Sequence, residues 1–358
     1  MGTSEGKPRS AASVLAGAVN VFALLGWAVL LCAAFAYFMA PLPAHFYALA
    51  VVCELIRGLR GASALRALRS TSRYASTSSP SKLIETELSP SGVLTISFHN
   101  EKKLNAWTQS LMKQMAAEIS AADTRDDVRG VVLTGGGAYY SAGVDLSGLL
   151  QPMMPSKLQT QLRDKNQFLF DMFINFSKPI GAAVNGPAIG AAVTTATLTD
   201  VLVAGERATF SVPFAKVGLP AEGCSSVTFA EWMGEANAER MLGVEGWVPT
   251  AEEARAAGFP IQDIVAGDNA AVVARAHELV EAQIATGGRS VDAAEVARRL
   301  KVNADESAKL ANAVMSPRFL LAMRDFNQRK PSIARFFSVA NATLPLWKPA
   351  DITPVYAA

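Results

Sequence analysis

Two periods of hydrophobic and polar positions alternate through the middle of the chain. Residues 92–98 follow the two-residue period of a strand, and residues 108–122 place apolar side chains at helical spacing. Residues 130–134 and 178–184 are apolar runs that favour buried strands, and small residues over 190–199 favour a helix. The repeated order of strand, loop and helix predicts an α/β fold in which ββα units stack as a spiral.

Helical patterns dominate the remainder of this region. Residues 153–176 carry a large apolar surface at helical spacing. Helices are also predicted over 269–286 and 293–326. We therefore expect C-terminal helices to follow the α/β core.

The N-terminal region has a different character. No formally charged residue occurs from position 10 to position 53, and residues 14–39 are long enough to cross a ~30 Å hydrocarbon core as a transmembrane helix. Residues 46–56 predict either a second, short span of a helical hairpin or an interfacial helix. A cleaved secretory signal is the alternative, although the apolar run exceeds the usual core of such a signal.

Five arginines and no acidic residue lie between position 57 and Glu85. This composition is typical of an organelle transit segment, or of a flank held on the cytoplasmic or matrix side of a membrane. We expect an organelle membrane, mitochondrial in preference to peroxisomal or endoplasmic reticulum. The chain then divides into an anchor or targeting region, a linker, a core and a C-terminal helical region with a tail, at 1–69, 70–82, 83–266 and 267–358.

Charge and cysteine content exclude several classes of function. The formal net charge is +2, from 33 Lys and Arg against 31 Asp and Glu, which is too small a basic excess to indicate nucleic-acid binding. Three cysteines and three histidines are scattered without the spacing of a zinc site or a disulfide framework. We therefore expect neither a metal site nor a nucleic-acid partner.

Two loops of small residues carry the candidate chemistry. They occupy positions 141–146 and 184–192, about forty residues apart. Glycine and alanine let a ligand approach the main chain, and N–H groups beside a helix start bind negatively charged oxygen. The pair of loops predicts an oxyanion hole.

These loops, together with residues 99–106 upstream and 218–226 downstream, resemble the enoyl-CoA hydratase/isomerase (crotonase) family. The resemblance runs from about residue 83 to residue 265, roughly half of the chain. It implies a crotonase-like ββα spiral, an acyl-CoA thioester substrate and no cofactor beyond the coenzyme A of that substrate. It also implies a helix over 250–259 that ends at a glycine, a last strand at 261–265, and a homotrimer or hexamer formed through the C-terminal helices.

One acidic residue distinguishes the subgroup. Hydratases of the family use two glutamates, and Thr194 and Phe214 stand at the corresponding positions here. Glu222 lies in a segment similar to the acidic site of the peroxisomal-type Δ3,Δ2-enoyl-CoA isomerases. Hydration needs two carboxylates, whereas a single one is enough for isomerisation. The resemblance therefore implies conversion of a 3-enoyl-CoA to the 2-trans-enoyl-CoA, with Glu222 as the proton shuttle.

The same resemblance assigns the other site residues. Backbone N–H groups of Ala142 and Ala191 are expected to form the oxyanion hole. Asp145 can also be interpreted as a helix cap or loop brace, and Lys103 as part of a solvated turn. The residues expected along the substrate are Lys103, Leu104, Asn105, Ala106, Gly143, Asp145 and Gly190.

Two other functions stay open at this point. One is a catalytically decayed crotonase-fold subunit of an organelle membrane complex, suggested by the apolar N-terminal region and by a C-terminal tail unlike that of the family. The other is a different enolate reaction on an acyl-CoA, because one fold supports several such chemistries.

Overall fold

The computed structural model describes residues 82–146 and 155–326, with scattered single positions beyond 326. The predicted membrane anchor and nearly all of the predicted linker lie outside these residues. Among the helices that are described, none is both long and apolar enough to cross a bilayer. The anchor, its membrane and the proposed domain boundaries therefore stay predictions.

Six strands form the main sheet, and a second sheet has two strands. The first two strands of the main sheet pair antiparallel, and every later pairing is parallel. The strands are β1 Ile84–Leu88, β2 Val93–Phe98, β3 Gly130–Gly135, β4 Ile180–Val184, β5 Ala188–Ile189, β6 Val201–Gly205, β7 Phe210–Ser211 and β8 Asp263–Val265. Their order in the main sheet is β1-β2-β3-β4-β6-β8, and β5 pairs with β7 in the small sheet. The predicted α/β core is confirmed.

Helices connect these strands and follow the last one. They are α1 Gln109–Thr124, α2 Pro155–Ile174, α3 Ala191–Ala196, α4 Ser225–Leu242, α5 Ala251–Ala256, α6 Asn269–Ala285, α7 Ala293–Ala313 and α8 Pro317–Phe326. The single helix predicted over 293–326 is wrong, because Pro317 starts a new helix and the Ser316 hydroxyl accepts a hydrogen bond from Phe319 N at 3.2 Å. The helix predicted over 190–199 is confined to six residues.

Polar side chains fix where several helices begin. The Thr108 hydroxyl accepts a hydrogen bond from Leu111 N at the start of α1, and Asp268 and Asp292 cap α6 and α7 in the same way. Each cap satisfies an N–H group that the first helical turn leaves unpaired. These starts were readable from the sequence because the capping residues lie next to the apolar pattern.

The sheet is buried on both faces. All six residues of β3 are buried, as expected for a parallel strand with helices on either side. Helix α6 covers one face with Val272, Ala276 and Val280. Aromatic side chains pack on the other face, where the rings of Phe98 and Trp107 lie 6.0 Å apart.

A buried ion pair ties the end of α2 to the sheet. Arg289 Nε lies 3.1 Å from Asp200 Oδ2, and the two side chains are 8% and 0% exposed. Arg289 Nη1 also donates to the carbonyl oxygens of Phe173, Ile174 and Phe176 at 3.1, 2.9 and 2.8 Å. A cation at the C-terminal end of a helix satisfies carbonyls that have no helical partner. This pair fixes the end of α2, and α2 contributes to the site below.

Candidate active site

The two small-residue loops and Glu222 face one cavity of about 700 Å³. Its walls are mostly apolar, and they come from helices far apart in the sequence. Apolar side chains of α1, α2, α7 and α8 contribute, among them Met112, Leu169, Met172, Leu310, Val314 and Phe319. A mainly apolar cavity with few polar groups is the usual form of a small-molecule site.

Backbone hydrogen bonds join the two loops. Ile189 N donates to the Ser141 carbonyl at 3.0 Å, and Ser141 N donates to the Pro187 carbonyl at 3.3 Å. Gly143 has a φ of 74°, and a methyl group built there would lie 2.3 Å from the Ile189 carbonyl oxygen. Only glycine fits, because a side chain would collide with the second loop.

The predicted pair of oxyanion donors needs one correction. Ala142 N donates to the Leu104 carbonyl at 2.9 Å, so the prediction that this N–H is available to a substrate is wrong. The next N–H, that of Gly143, is also occupied, by the Ser141 hydroxyl at 3.0 Å. In the part of the chain that the structure describes, the N–H of Val144 has no acceptor, and Val144 lines the cavity.

Pairing with Trp107 explains the direction of the Val144 N–H group. Trp107 N donates to the Gly143 carbonyl at 2.7 Å, and Asp145 N donates to the Trp107 carbonyl at 3.1 Å. Successive residues of an extended segment present their N–H groups to opposite sides. Because Asp145 N faces Trp107, Val144 N faces away from it.

Ala191 keeps its predicted place. It is the first residue of α3 and follows Gly190, whose φ is 60°. The first N–H groups of a helix have no partner within the helix, and Ala191 N has no acceptor among residues 82–146 and 155–326. The methyl position built on Gly143 lies 3.7 Å from Ala191 N, so the two loops bring both donors to the same wall of the cavity.

Glu222 is the acidic group beside this wall. It is 8% exposed and lines the cavity, and its carboxylate has no hydrogen-bond partner in the described part of the chain. Burial, with a smaller contribution from Glu306, raises the pKa of Glu222 to about 8. The side chain is therefore suited to take up and release a proton near neutral pH.

The remaining predicted residues separate into two groups. Ala106, Gly143, Asp145 and Gly190 line the cavity. Lys103 does not, but its Nζ lies 3.3 Å from Asp145 Oδ2. The Lys103 side chain is 57% exposed, so it lies at the protein surface beside Asp145 of the cavity wall.

Leu104 and Asn105 are not part of the cavity wall. Leu104 is 45% exposed. Asn105 is fully buried, and its Nδ2 donates to the carbonyls of Gly136 and Tyr139 at 2.8 Å each. The Asn105 side chain therefore braces the loop that leads to Ser141, and a backbone contact of Leu104 or Asn105 with the substrate stays a prediction.

The positions of the two hydratase glutamates contain no acid. Thr194 is fully buried and donates its hydroxyl to the Ala191 carbonyl at 3.3 Å. Phe214 is 5% exposed and lines the cavity. Neither side chain can hold and deprotonate a water molecule.

Several charged residues in or behind the cavity were not predicted. Lys113 of α1 and Lys165 of α2 line the cavity and add positive charge. Glu306 of α7 raises the pKa of Glu222. The sequence carries no signal for them, because they lie on ordinary helical patterns distant from the small-residue loops.

Known proteins match this arrangement. The sequence profile described as enoyl-CoA hydratase/isomerase matches residues 89–327. The chain belongs to the enoyl-CoA hydratase/isomerase family. A solved enoyl-CoA hydratase/isomerase from Pseudoalteromonas atlantica T6c is 25% identical, with a TM-score of 0.56, over 69% of this chain and 98% of that one. The predicted crotonase-like fold is thereby confirmed.

Two proteins similar to this chain are named as delta isomerases. Human enoyl-CoA delta isomerase 2 is 39% identical over 48% of this chain and 43% of its own length. Mouse peroxisomal enoyl-CoA delta isomerase 3 is 36% identical over 48% of this chain and 54% of its own length. The matched region thus spans about half of these relatives, and the predicted resemblance to delta isomerases is confirmed.

Proposed function

We propose that this enoyl-CoA hydratase/isomerase family member is a Δ3,Δ2-enoyl-CoA isomerase that acts in the oxidation of unsaturated fatty acids. The observation that carries the proposal is the buried carboxylate of Glu222, which faces a cavity with two unpaired backbone N–H groups. The absence of acid at Thr194 and Phe214 favours isomerisation over hydration. The identity with human delta isomerase 2 supports the same choice.

The reaction needs one proton acceptor and one oxyanion site. Ionised Glu222 takes a proton from C2 of the 3-enoyl-CoA, and the electrons of that C–H bond form the C1–C2 double bond of a dienolate that keeps the C3–C4 double bond. The electrons of the C=O π bond move onto the thioester oxygen, where the N–H groups of Val144 and Ala191 donate to it. The carbonyl then re-forms, the C1–C2 electrons become the C2–C3 double bond, and C4 takes the proton from Glu222 with the electrons of the former C3–C4 double bond, which gives the 2-trans-enoyl-CoA.

The base and the oxyanion donors each contribute several kcal/mol to this reaction. A carboxyl group with a pKa of about 8 is a stronger base than an ordinary glutamate, and each pKa unit corresponds to about 1.4 kcal/mol. An oxyanion donor contributes about 3–4 kcal/mol to the transition state. The basicity of Glu222 acts where the proton leaves C2, and the N–H donors act where the negative charge arrives, on the thioester oxygen. The reaction therefore needs both.

The charged side chains around the cavity suit coenzyme A. Lys113 and Lys165 line the cavity and Lys103 lies beside Asp145 of its wall, and positive charge there favours the phosphate groups of an acyl-CoA. The apolar walls then suit the acyl chain. In this proposal coenzyme A enters as part of the substrate, and Glu222 supplies the proton transfer.

The test compares two glutamate variants of the full-length chain. Conversion of a 3-enoyl-CoA to the 2-trans product is measured for the wild type, Glu222→Gln and Glu235→Gln. Loss of the proposed proton shuttle should lower kcat by roughly 10²–10⁴-fold. Glu235 is exposed, so its variant should match the wild type.

The three possible outcomes are distinct. Loss of turnover in Glu222→Gln alone supports the isomerase. Unchanged turnover in that variant removes Glu222 from the mechanism. No turnover by folded wild type that binds acyl-CoA would favour the decayed subunit of a membrane complex, which no observation on the described residues favours at present.

Assembly and location stay predictions. The homotrimer or hexamer is typical of the family, and membership of a membrane complex rests on the sequence alone. The mouse relative is named peroxisomal, and none of these comparisons supports the mitochondrial membrane that the arginine-rich segment favoured.

A further inference from the structure

A second buried carboxylate lies behind Glu222. Glu306, on α7, is 1% exposed and does not line the cavity. Its Oε2 accepts a hydrogen bond from Cys224 N at 2.7 Å, and its Oε1 accepts one from Ser226 N at 2.9 Å. Both donors belong to the turn that directly follows Glu222.

This turn has an unusual backbone. Gly223 and Cys224 both have a φ of 66°, which side-chain-bearing residues rarely adopt. Cys224 precedes α4, and its own side chain does not cap the helix. The Ser225 hydroxyl donates to the Glu222 carbonyl at 2.7 Å. A strained turn persists only when its surroundings hold it, and the two hydrogen bonds to Glu306 do so from 80 residues away.

Other charged side chains near the turn pair with one another or act on Glu306. Arg298 and Arg299 both pair with Glu295, at 2.6 Å, and Arg298 also pairs with Glu231. On α2, Asp171 accepts a hydrogen bond from Asn303 at 2.8 Å. Lys309 acts on Glu306. The charge that acts on Glu222 is that of Glu306.

Hydrogen bonding indicates which carboxyl group is ionised first. Burial raises the pKa of Glu306, and donors on both of its oxygens favour its charged form and oppose part of that rise. Glu222 has no such donors within the described residues and loses its proton at higher pH. The pKa values of two interacting carboxyl groups move apart in this way when only one of the groups is hydrogen-bonded.

We propose that Glu306 is a positioning residue for Glu222: its carboxylate holds the 222–226 turn that directs Glu222 into the cavity, and its negative charge makes Glu222 a stronger proton acceptor. The second half of this inference rests on the proposed role of Glu222 as the base. The first half rests on the two hydrogen bonds alone.

The test uses Glu306→Gln in the full-length chain, with Asp171→Asn as the matched control. Glutamine removes the charge and leaves one of the two turn N–H groups without an acceptor. The control also removes a carboxylate between α2 and α7, but it does not touch the turn. Protonation of Glu222 is followed by infrared difference spectroscopy against pH, with Glu222→Gln identifying the band.

We expect the titration midpoint of Glu222 to move to lower pH in Glu306→Gln and to stay in place in Asp171→Asn. The low-pH limb of kcat/KM should move in the same direction, and kcat should fall roughly tenfold to a hundredfold because the base is misplaced. An unchanged midpoint in folded Glu306→Gln would overturn the electrostatic role and leave Glu306 as a helix cap.

A second variant, Glu306→Asp, keeps the proposal testable if Glu306→Gln does not fold. Glu306→Asp retains the charge on a shorter side chain, so we expect a lower kcat with the Glu222 midpoint near its wild-type value. Wild-type values of both quantities would overturn the positioning role. Because the infrared titration needs no turnover, it tests Glu306 even if the protein proves not to be an isomerase.

Discussion

Replacing Gly143 with alanine tests whether the spacing of the two loops sets the oxyanion site. The new methyl group would lie 2.3 Å from the Ile189 carbonyl oxygen and 3.2 Å from its carbon. The first distance is roughly 1 Å short of ordinary van der Waals contact. Both neighbours are backbone atoms, so the loops themselves must separate.

The size of the effect follows from that separation. Ala191 follows Ile189 by two residues, and a shift of about 1 Å at a catalytic contact can lower a rate about 10²-fold. We expect kcat for isomerisation to fall by about that factor in Gly143→Ala. The left-handed backbone adds about 1–2 kcal/mol of destabilisation.

The variant Gly234→Ala is a control that introduces the backbone strain of Gly143→Ala without its steric collision. Gly234 has a φ of 73°, close to the 74° of Gly143, but a methyl group there would meet no atom within 4 Å. Rates of 3-enoyl-CoA conversion and denaturant unfolding are measured for both variants. We expect both to lose stability and only Gly143→Ala to lose the rate. Turnover by Gly143→Ala within twofold of the wild type would refute the proposed contact between the loops as the determinant of the site.

Three further predictions concern proton transfer and stability. Wild-type kcat/KM should fall about tenfold per pH unit below about 8, because protonation of Glu222 removes the base; a pH–rate profile that is flat from 6 to 8 would contradict this. Arg289→Met should lower the free energy of unfolding by about 3–5 kcal/mol, because Asp200 would be left buried without its cation. Denaturant unfolding measures this loss, and a value under about 1 kcal/mol would show that the ion pair contributes little. Asn105→Ala should lower the free energy of unfolding by about 1–3 kcal/mol for each partly buried carbonyl left unpaired, measured by the same method, with exposed Glu235→Gln as the unaffected reference.

Local sequence determined the elements and the chemical class. Alternation at 92–98 and the apolar run at 130–134 correspond to β2 and β3, because burial of one or both faces imposes those patterns. The order of the small-residue loops and the position of Glu222 indicated the family. Each of these signals lies within a few consecutive residues, so no knowledge of the fold is needed to read it.

Tertiary structure decided which groups are available for chemistry. The sequence favoured Ala142 as a donor, but its N–H is taken by Leu104, and pairing with Trp107 leaves that of Val144 unpaired. Asn105 became a brace because its partners are carbonyls of another loop. Hydrogen-bond partners depend on which distant segments meet, and a linear pattern does not encode that meeting.

The same reason applies to the environment of Glu222. Its position in the sequence predicted a carboxylate, whereas its burial and the approach of Glu306, 84 positions later, set its pKa. Desolvation and charge act through space, and α7 reaches the turn only because it packs against α2. The sequence thus determined the kind of group in the site, and the fold determined its proton affinity and its partners.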